Sequence, residues 1–220
     1  YTAEFAFKNR KTREISILFQ NSSNMIDYKN AFINKFQELG GKVLFESTFE
    51  RGEKDFRTQL IKLKESNSAN AFITGHVNEL GFILKQAAEM NLKLNWFSVP
   101  GIESNDLFKI TEYGAEGVIF ASETTSFKNS PEAVKFREEY LKLMGNEPDF
   151  FSANSYDALK LIVLAGQKHG FTSSGIKKGL YETKNYRGVG GLISFDEFGE
   201  VIKPISTKII KNQKFIDYKD

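Results

Sequence analysis

Two side chains in this sequence titrate near neutrality without a large shift, His76 and His169, so the supply for acid–base chemistry is thin. His169 stands before Gly170 at the end of an amphipathic run, where a solvated cap favoured by the helix dipole explains it. His76 directly follows the apolar segment 70–74, at the place where open α/β sheets present ligand-contacting loops, so a contact role is at least as strong as a packing role. No second metal ligand stands near it at a zinc-like spacing. The chain has no cysteine, which excludes disulfides, thiolate zinc sites and cysteine nucleophiles.

The other polar candidate is Gln20-Asn21-Ser22-Ser23-Asn24, a loop leading into a helix whose free amides could hold an anionic group. Ordinary N-capping by Ser23 or Asn24 accounts for the same residues equally well. Asn21-Ser22-Ser23 also has the form of a glycosylation acceptor, a pattern too common to weigh. Gly188, Gly190 and Gly191 precede a β-rich run and no helix, the wrong context for a dinucleotide loop, and read as a bend or hinge. Glu50, Glu53 and Asp55 read as a solvated loop with a helix cap. These residues point to binding without catalysis, metal or cofactor.

The elements that must carry these residues repeat a simple rhythm. From residue 14 onward short β-rich runs alternate with longer amphipathic stretches, the sequence form of βα units around a parallel sheet. Strands are expected at 15–19, 43–49, 70–74, 94–98 and 117–122. Helices are expected at 25–39, with Met25, Tyr28, Phe32 and Phe36 on one face, and after Asp55 as N-cap, with Phe56, Leu60, Ile61 and Leu63. A third, at 78–90, carries Leu80, Ile83, Leu84, Ala87 and Ala88, and a short one covers 105–110. Residues 122–130 form a crossover, and Pro131 opens a helix to about Met144. A helix at 151–168 turns Tyr156, Leu159, Ile162 and Val163 inward, and a shorter one covers 174–181. The end is a β element: 186–195 pairs with 206–210 through a turn at Asp196-Glu197-Phe198-Gly199.

Composition bounds the rest. Thirty Lys+Arg against 28 Asp+Glu give a net charge of +2, with no basic field that implies nucleic acid. A 40% hydrophobic content with 21 Phe describes a compact globular chain, and 220 residues suit one large domain or two small lobes. No apolar run approaches the length of a spanning helix. The first 13 residues are charged and lack the apolar centre of a signal peptide, so for an exported protein the signal is expected upstream.

Several phrases, in their order and spacing, resemble the branched-chain amino acid binding proteins of ABC transporters, which have the type I periplasmic binding fold. "GGKVLFESTFERGEKDFRTQLIKLKESNSANAFITGHVNELGFILKQAAEMNLK" and then "YGAEGVIFASE" resemble the second lobe. "SPEAVKFREEYLKLMGNEPDFFSANSYDALKLIVLA" is similar to helices that return to the first lobe, and "GVGGLISFDEFGE" to the strand that crosses back. The resemblance implies an α/β fold with one parallel-sheet, Rossmann-like lobe, residues 14–121 plus 186–218. Residues 1–13 and 122–185 would be helical remnants of a mostly absent first lobe. It further implies a hinged clamp outside the cytoplasm, in the periplasm where there is one, that hands a small solute to an inner-membrane ABC permease. The apolar faces of the helices at 131–168 would lack their usual cover, which predicts self-association or rearrangement.

Three loops of that family carry over. The loop after the first strand usually presents a tyrosine beside a glycine, and here reads Ser23-Asn24-Met25. The loop after the third usually has a glycine and an aromatic, and here has Gly75-His76. The next often carries a carboxylate for the ligand's ammonium, and here reads Ser98-Val99-Pro100-Gly101, with Glu103 the nearest acid. The expected ligand contacts are Ser22, Ser23, Asn24, His76, Pro100 and Gly101. The departures point away from a branched-chain amino acid toward a less cationic or differently shaped solute. Rival readings are a receptor's sensory domain of the same fold and a flavodoxin-like phosphate or flavin binder using residues 21–24.

Overall fold

The computed structural model describes residues 1–123 and 130–218, and the expected crossover over residues 122–130 lies largely outside them. The chain divides into two compact units, Tyr1–Ser122 with Ser206–Asp220, and Glu123–Ile205.

The first unit is built on a seven-stranded sheet. Its strands are β1 (Glu14–Gln20), β2 (Lys42–Phe49), β3 (Asn70–Thr74), β4 (Asn95–Ser98), β5 (Ile119–Glu123), β9 (Ile205–Lys211) and β10 (Lys214–Asp217). Their order is β10-β9-β5-β4-β3-β1-β2, with parallel pairing from β2 to β5 and an antiparallel β9–β10 hairpin. The central strands are buried on both faces, and their alternation distributes side chains between two cores. Ile15, Ile17, Phe72, Phe97 and Ile119 face α1 (Thr2–Lys8) and α2 (Ser23–Glu38), where Phe32 stacks on Phe72 at 3.9 Å between ring centroids. Leu18, Ala71, Ile73, Trp96 and Phe120 face α3 (Arg57–Glu65), α4 (Val77–Glu89) and α5 (Asp106–Thr111).

Helix α2 ends as its glycines direct. Gly40 takes φ +94°, and a Cβ on Gly41 would clash with the Phe36 ring. The helix faces depart from expectation at single positions. Tyr28 and Ile61 are 45% and 48% exposed, because the stripes through Met25, Phe32 and Phe36 and through Leu60 and Leu63 already fill the buried arc. The N-cap of α3 is Phe56 and not Asp55, although Asp55 Oδ1 does accept the Arg57 N–H at 3.2 Å.

The second unit contains α6 (Pro131–Met144), α7 (Phe150–His169), α8 (Ser173–Tyr181) and a three-stranded antiparallel sheet of β6 (Tyr186–Gly188), β7 (Gly191–Phe195) and β8 (Val201–Ile202). Each helix has a side-chain cap: Ser130 accepts from Ala133 N–H, Asp149 from Ser152 N–H and Thr172 from Gly175 N–H. The rotation of α7 corrects its expected face. Leu159, Ile162 and Val163 are exposed, while Ala153, Asp157, Leu161, Ala165 and Gly166 are buried. Apart from Leu161, small residues and one acid line the packed side, where α8 and the β6–β7 hairpin approach closely. A Cβ on Gly179 would overlap Ala165, and one on Gly188 would overlap Asp157.

Two further expectations are corrected. Residues 206–210 do not pair with 186–195. The turn at Asp196–Gly199 exists, held by Asp196 N–H to Glu200 O with Gly199 at φ +87°, but it pairs β7 with β8, and β9 instead lies beside β5. The division of the chain shifts accordingly. Residues 186–205 group with the helical unit, and α1 groups with the seven-stranded sheet, because Ala3 and Ala6 are buried against its core.

Two buried polar groups fix β9 and the β6–β7 turn. Lys208 of β9, 5% exposed, donates from Nζ to Glu103 Oε1 at 2.5 Å, and Ser122 Oγ donates to Glu103 Oε2 at 2.6 Å. Asp157, 1% exposed, accepts Val189 N–H and Gly190 N–H at 2.8 Å each and so closes the β6–β7 turn.

Replacing Lys208 with Met leaves a buried carboxylate without its cation and is expected to cost about 3–5 kcal/mol, most of it recovered in the double variant K208M/E103Q. Urea unfolding followed by fluorescence of Trp96, the sole tryptophan, measures both. Burial raises the Asp157 carboxyl above its ordinary value, and the two backbone donors pull it partway back. A folded value above the unfolded one means the fold holds the proton more tightly. That contribution is present below the ordinary carboxylate value and is lost as pH rises through the raised one. Wild-type stability relative to Asp157→Asn is therefore expected to fall across this window, read as the difference between their thermal unfolding curves at each pH.

Candidate functional site

Strand β1 is largely buried and ends on Gln20, which is 1% exposed and turns its side chain toward β3. Gln20 Oε1 accepts the backbone N–H of His76 at 3.0 Å and lies 2.8 Å from His76 Nδ1. Gly75 permits this crossing: a Cβ there would lie 2.9 Å from Phe49 Cζ and 3.4 Å from Gln20 Oε1. The loop after β4 turns through a short 3-10 segment, Pro100–Ile102, with Ile102 N–H bonded to Val99 O and Glu103 N–H to Pro100 O. A Cβ on Gly101 would stand 3.8 Å from Gly75 O, so the loops after β3 and β4 lie side by side. His76, Pro100 and Gly101 are half-buried, accessible at the carboxyl edge of a parallel sheet.

The structure brings His76, Gly75 and Gly101 together, with Gln20 as the bracket. Ser22, Ser23 and Asn24 sit at the same edge, after β1, and bond locally: Ser22 Oγ donates to Asn24 Oδ1 at 3.1 Å. Among the described residues no side-chain bond links that trio to His76. The capping expectation is corrected, since the N-cap of α2 is Ser22 and neither Ser23 nor Asn24 closes the helix end. His76 is itself the N-cap residue of α4, in an extended conformation and without a side-chain cap. Both helices thus direct uncapped N–H groups to the edge where the parallel strands end.

Each acid near this edge has at least one oxygen engaged, and among the described residues Glu79 Oε2 is buried without a partner. Glu103 gives both oxygens to Lys208 and Ser122, so it is not free to meet a ligand's ammonium. Glu50 accepts from Asn21 Nδ2 at 2.7 Å, while Glu53 accepts from Glu50 N–H and from Gln59 Nε2. Glu79, 5% exposed, accepts Gly52 N–H at 2.7 Å. Among the described residues no group of three or more His, Cys, Asp or Glu is placed to hold a metal ion, and no helix is long and apolar enough to cross a membrane. His169 ends α7 and pairs with Glu182 at 2.7 Å within the second unit.

Gln20, the partner of His76, reads in the sequence as one letter of a polar loop. Its signal was available: a polar residue closing a strand that is otherwise buried requires an internal partner. The Glu103–Lys208 pairing had no such signal, because its partners lie 105 positions apart.

The sequence profile described as "Periplasmic binding protein" matches residues 1–207. The Leu/Ile/Val-binding protein homolog 1 of Brucella suis is 27% identical over 201 residues, covering 90% of this chain and 53% of that protein. Among solved structures, a leucine-binding protein from Thermotoga maritima is similar at TM-score 0.90 and 30% identity, over 99% of this chain and 63% of its own. A branched-chain amino acid transporter substrate-binding protein from Streptococcus pneumoniae, in complex with isoleucine, is similar at TM-score 0.83 and 25% identity, over 97% and 61%. The chain spans about half the length of the curated relatives it matches. Its α/β architecture, its mainly parallel sheet and a profile match over nearly its whole length agree, and the chain belongs to the periplasmic binding protein family.

Proposed function

We propose that this protein captures a small polar solute, amino acid-like or a related carboxylate or amide, for an ABC permease outside the cytoplasm, and that it does so without chemical turnover. The seven-stranded unit serves as the second, ligand-binding lobe in this reading. The observation that carries it is the juxtaposition of Gly75-His76 and Pro100-Gly101 at the carboxyl edge of a sheet whose family is one of solute-binding proteins. Ser22, Ser23, Asn24, His76, Pro100 and Gly101 supply its contacts: hydroxyl and amide groups from the first loop, the imidazole from the second, backbone groups and an apolar wall from the third.

The kinds of ligand named for similar proteins, leucine and isoleucine, suggest the size of the solute. The engagement of Glu103 by Lys208 argues against a free ammonium group as the main anchor, since an ammonium taken from water needs a carboxylate in return.

Thermal-shift measurements with amino acids, small carboxylates, amides, inorganic phosphate and flavin mononucleotide test the reading. One of the first three classes is expected to stabilise the protein, by about 2.7 kcal/mol at a hundredfold excess over Kd. The shift is expected to vanish in His76→Ala while the far-ultraviolet circular dichroism is unchanged. Stabilisation by phosphate or flavin alone, or by nothing in the set, would overturn it.

A further inference from the structure

The contacts around Gln20 determine which nitrogen of His76 carries the proton. A backbone N–H only donates, so the Gln20 atom that meets His76 N–H at 3.0 Å is the amide oxygen. A side-chain partner alone would leave oxygen and nitrogen of the amide interchangeable. The same oxygen lies 2.8 Å from His76 Nδ1 and has no proton to give. In the neutral ring the hydrogen is therefore on Nδ1, and Nε2 presents a lone pair. Gln20 is buried at the end of β1, which holds it in this orientation. The free imidazole side chain in water favours the opposite tautomer, so the fold selects the less common one.

Resting on the reading of this edge as a solute site, we propose that His76 is a specificity-determining residue whose Nε2 accepts a hydrogen bond from a neutral hydroxyl or amide group of the solute. A charged donor fits less well. Glu103 has both oxygens occupied by Lys208 and Ser122, and Glu53 has both occupied by Glu50 N–H and Gln59. Glu79 is buried. An ammonium at Nε2 would lose its hydration for one neutral acceptor, whereas a hydroxyl or amide N–H needs only that acceptor.

The first measurement uses the ligand-free protein. Nitrogen-15 spectra of its two imidazoles, with His169→Asn to assign them, are recorded where imidazole is neutral. The Nδ1–H pattern is expected for His76, and an Nε2–H pattern overturns the proposal without need of any Gln20 variant. The second compares calorimetric binding of L-leucine, 2-hydroxyisocaproate and 4-methylpentanoate, which share one carbon skeleton and differ in bearing an ammonium, a hydroxyl or neither. The hydroxy acid is expected to bind about tenfold more tightly than both others. That advantage is expected to disappear in His76→Phe. Equal or tighter binding of L-leucine overturns the specificity and leaves the solute-site reading intact. Failure of all three to bind overturns the specificity as well, and the solute-site reading then stands or falls with the thermal-shift panel alone.

Discussion

Burial of the parallel sheet on both faces is the constraint from which the rest follows. With α1 and α2 on one side and α3, α4 and α5 on the other, most side chains of β1, β3, β4 and β5 are buried, while the edge strand β2 keeps Lys42, Glu46 and Thr48 exposed. Strand ends are the one place where such a sheet offers polar groups to a visiting molecule. The loops at the carboxyl ends are therefore short and glycine-dependent, and Gly75 is the position where a methyl group would collide with Phe49.

A chain that ends its strands in polar residues next to an apolar core must satisfy each one internally. Gln20 does so by bridging β1 to His76, and Glu103 by joining Ser122 and Lys208 across β5 and β9. The two solutions differ in consequence. The amide bridge leaves one side of an imidazole available at the edge. The ion pair removes a carboxylate from the edge and spends it on attaching the last hairpin of the sheet. A buried pair of this kind gives little net stability over an apolar substitute, but it penalises misplacement of either partner. Its contribution is to the position of β9 more than to the depth of the folded well.

Local patterns made the first half of the fold legible. The strands β1 to β4 and helices α2 to α4 follow directly from apolar periodicity, and the glycine pair after α2 marks its end within a residue or two. The helical unit was legible in its boundaries and not in its faces. Hydrophobicity points to Leu159, Ile162 and Val163 as the inner side of α7, yet the contact surface is made mostly of alanine, glycine and Asp157, with Leu161, because close approach and a backbone turn shape it. Pairing of β9 was misassigned for a related reason: a turn signal at Asp196–Gly199 says that a hairpin forms, but β8, only two residues long, takes the place expected for 206–210. Of the site, the edge loops were legible from strand order. The partners of His76 and Glu103 were not, since they come from distant strands.

The route of the chain gives the sheet a temporal asymmetry. Strand β9 lies beside β5, with Ile210 N–H bonded to Val118 O, although residues 124–204 separate the two strands in sequence. On a ribosome, β5 emerges long before the strand that will cover it, and its open edge waits while the helical unit is synthesised. Closing so long an excursion adds only slowly to the entropic cost, so the finished sheet loses little stability by it. The burden falls on kinetics: a high contact order slows the last step, and an unpaired, buried-type strand is a template for wrong partners until that step is complete. The antiparallel β9–β10 hairpin, which can form from adjacent residues as soon as it is released, is suited to shorten that interval.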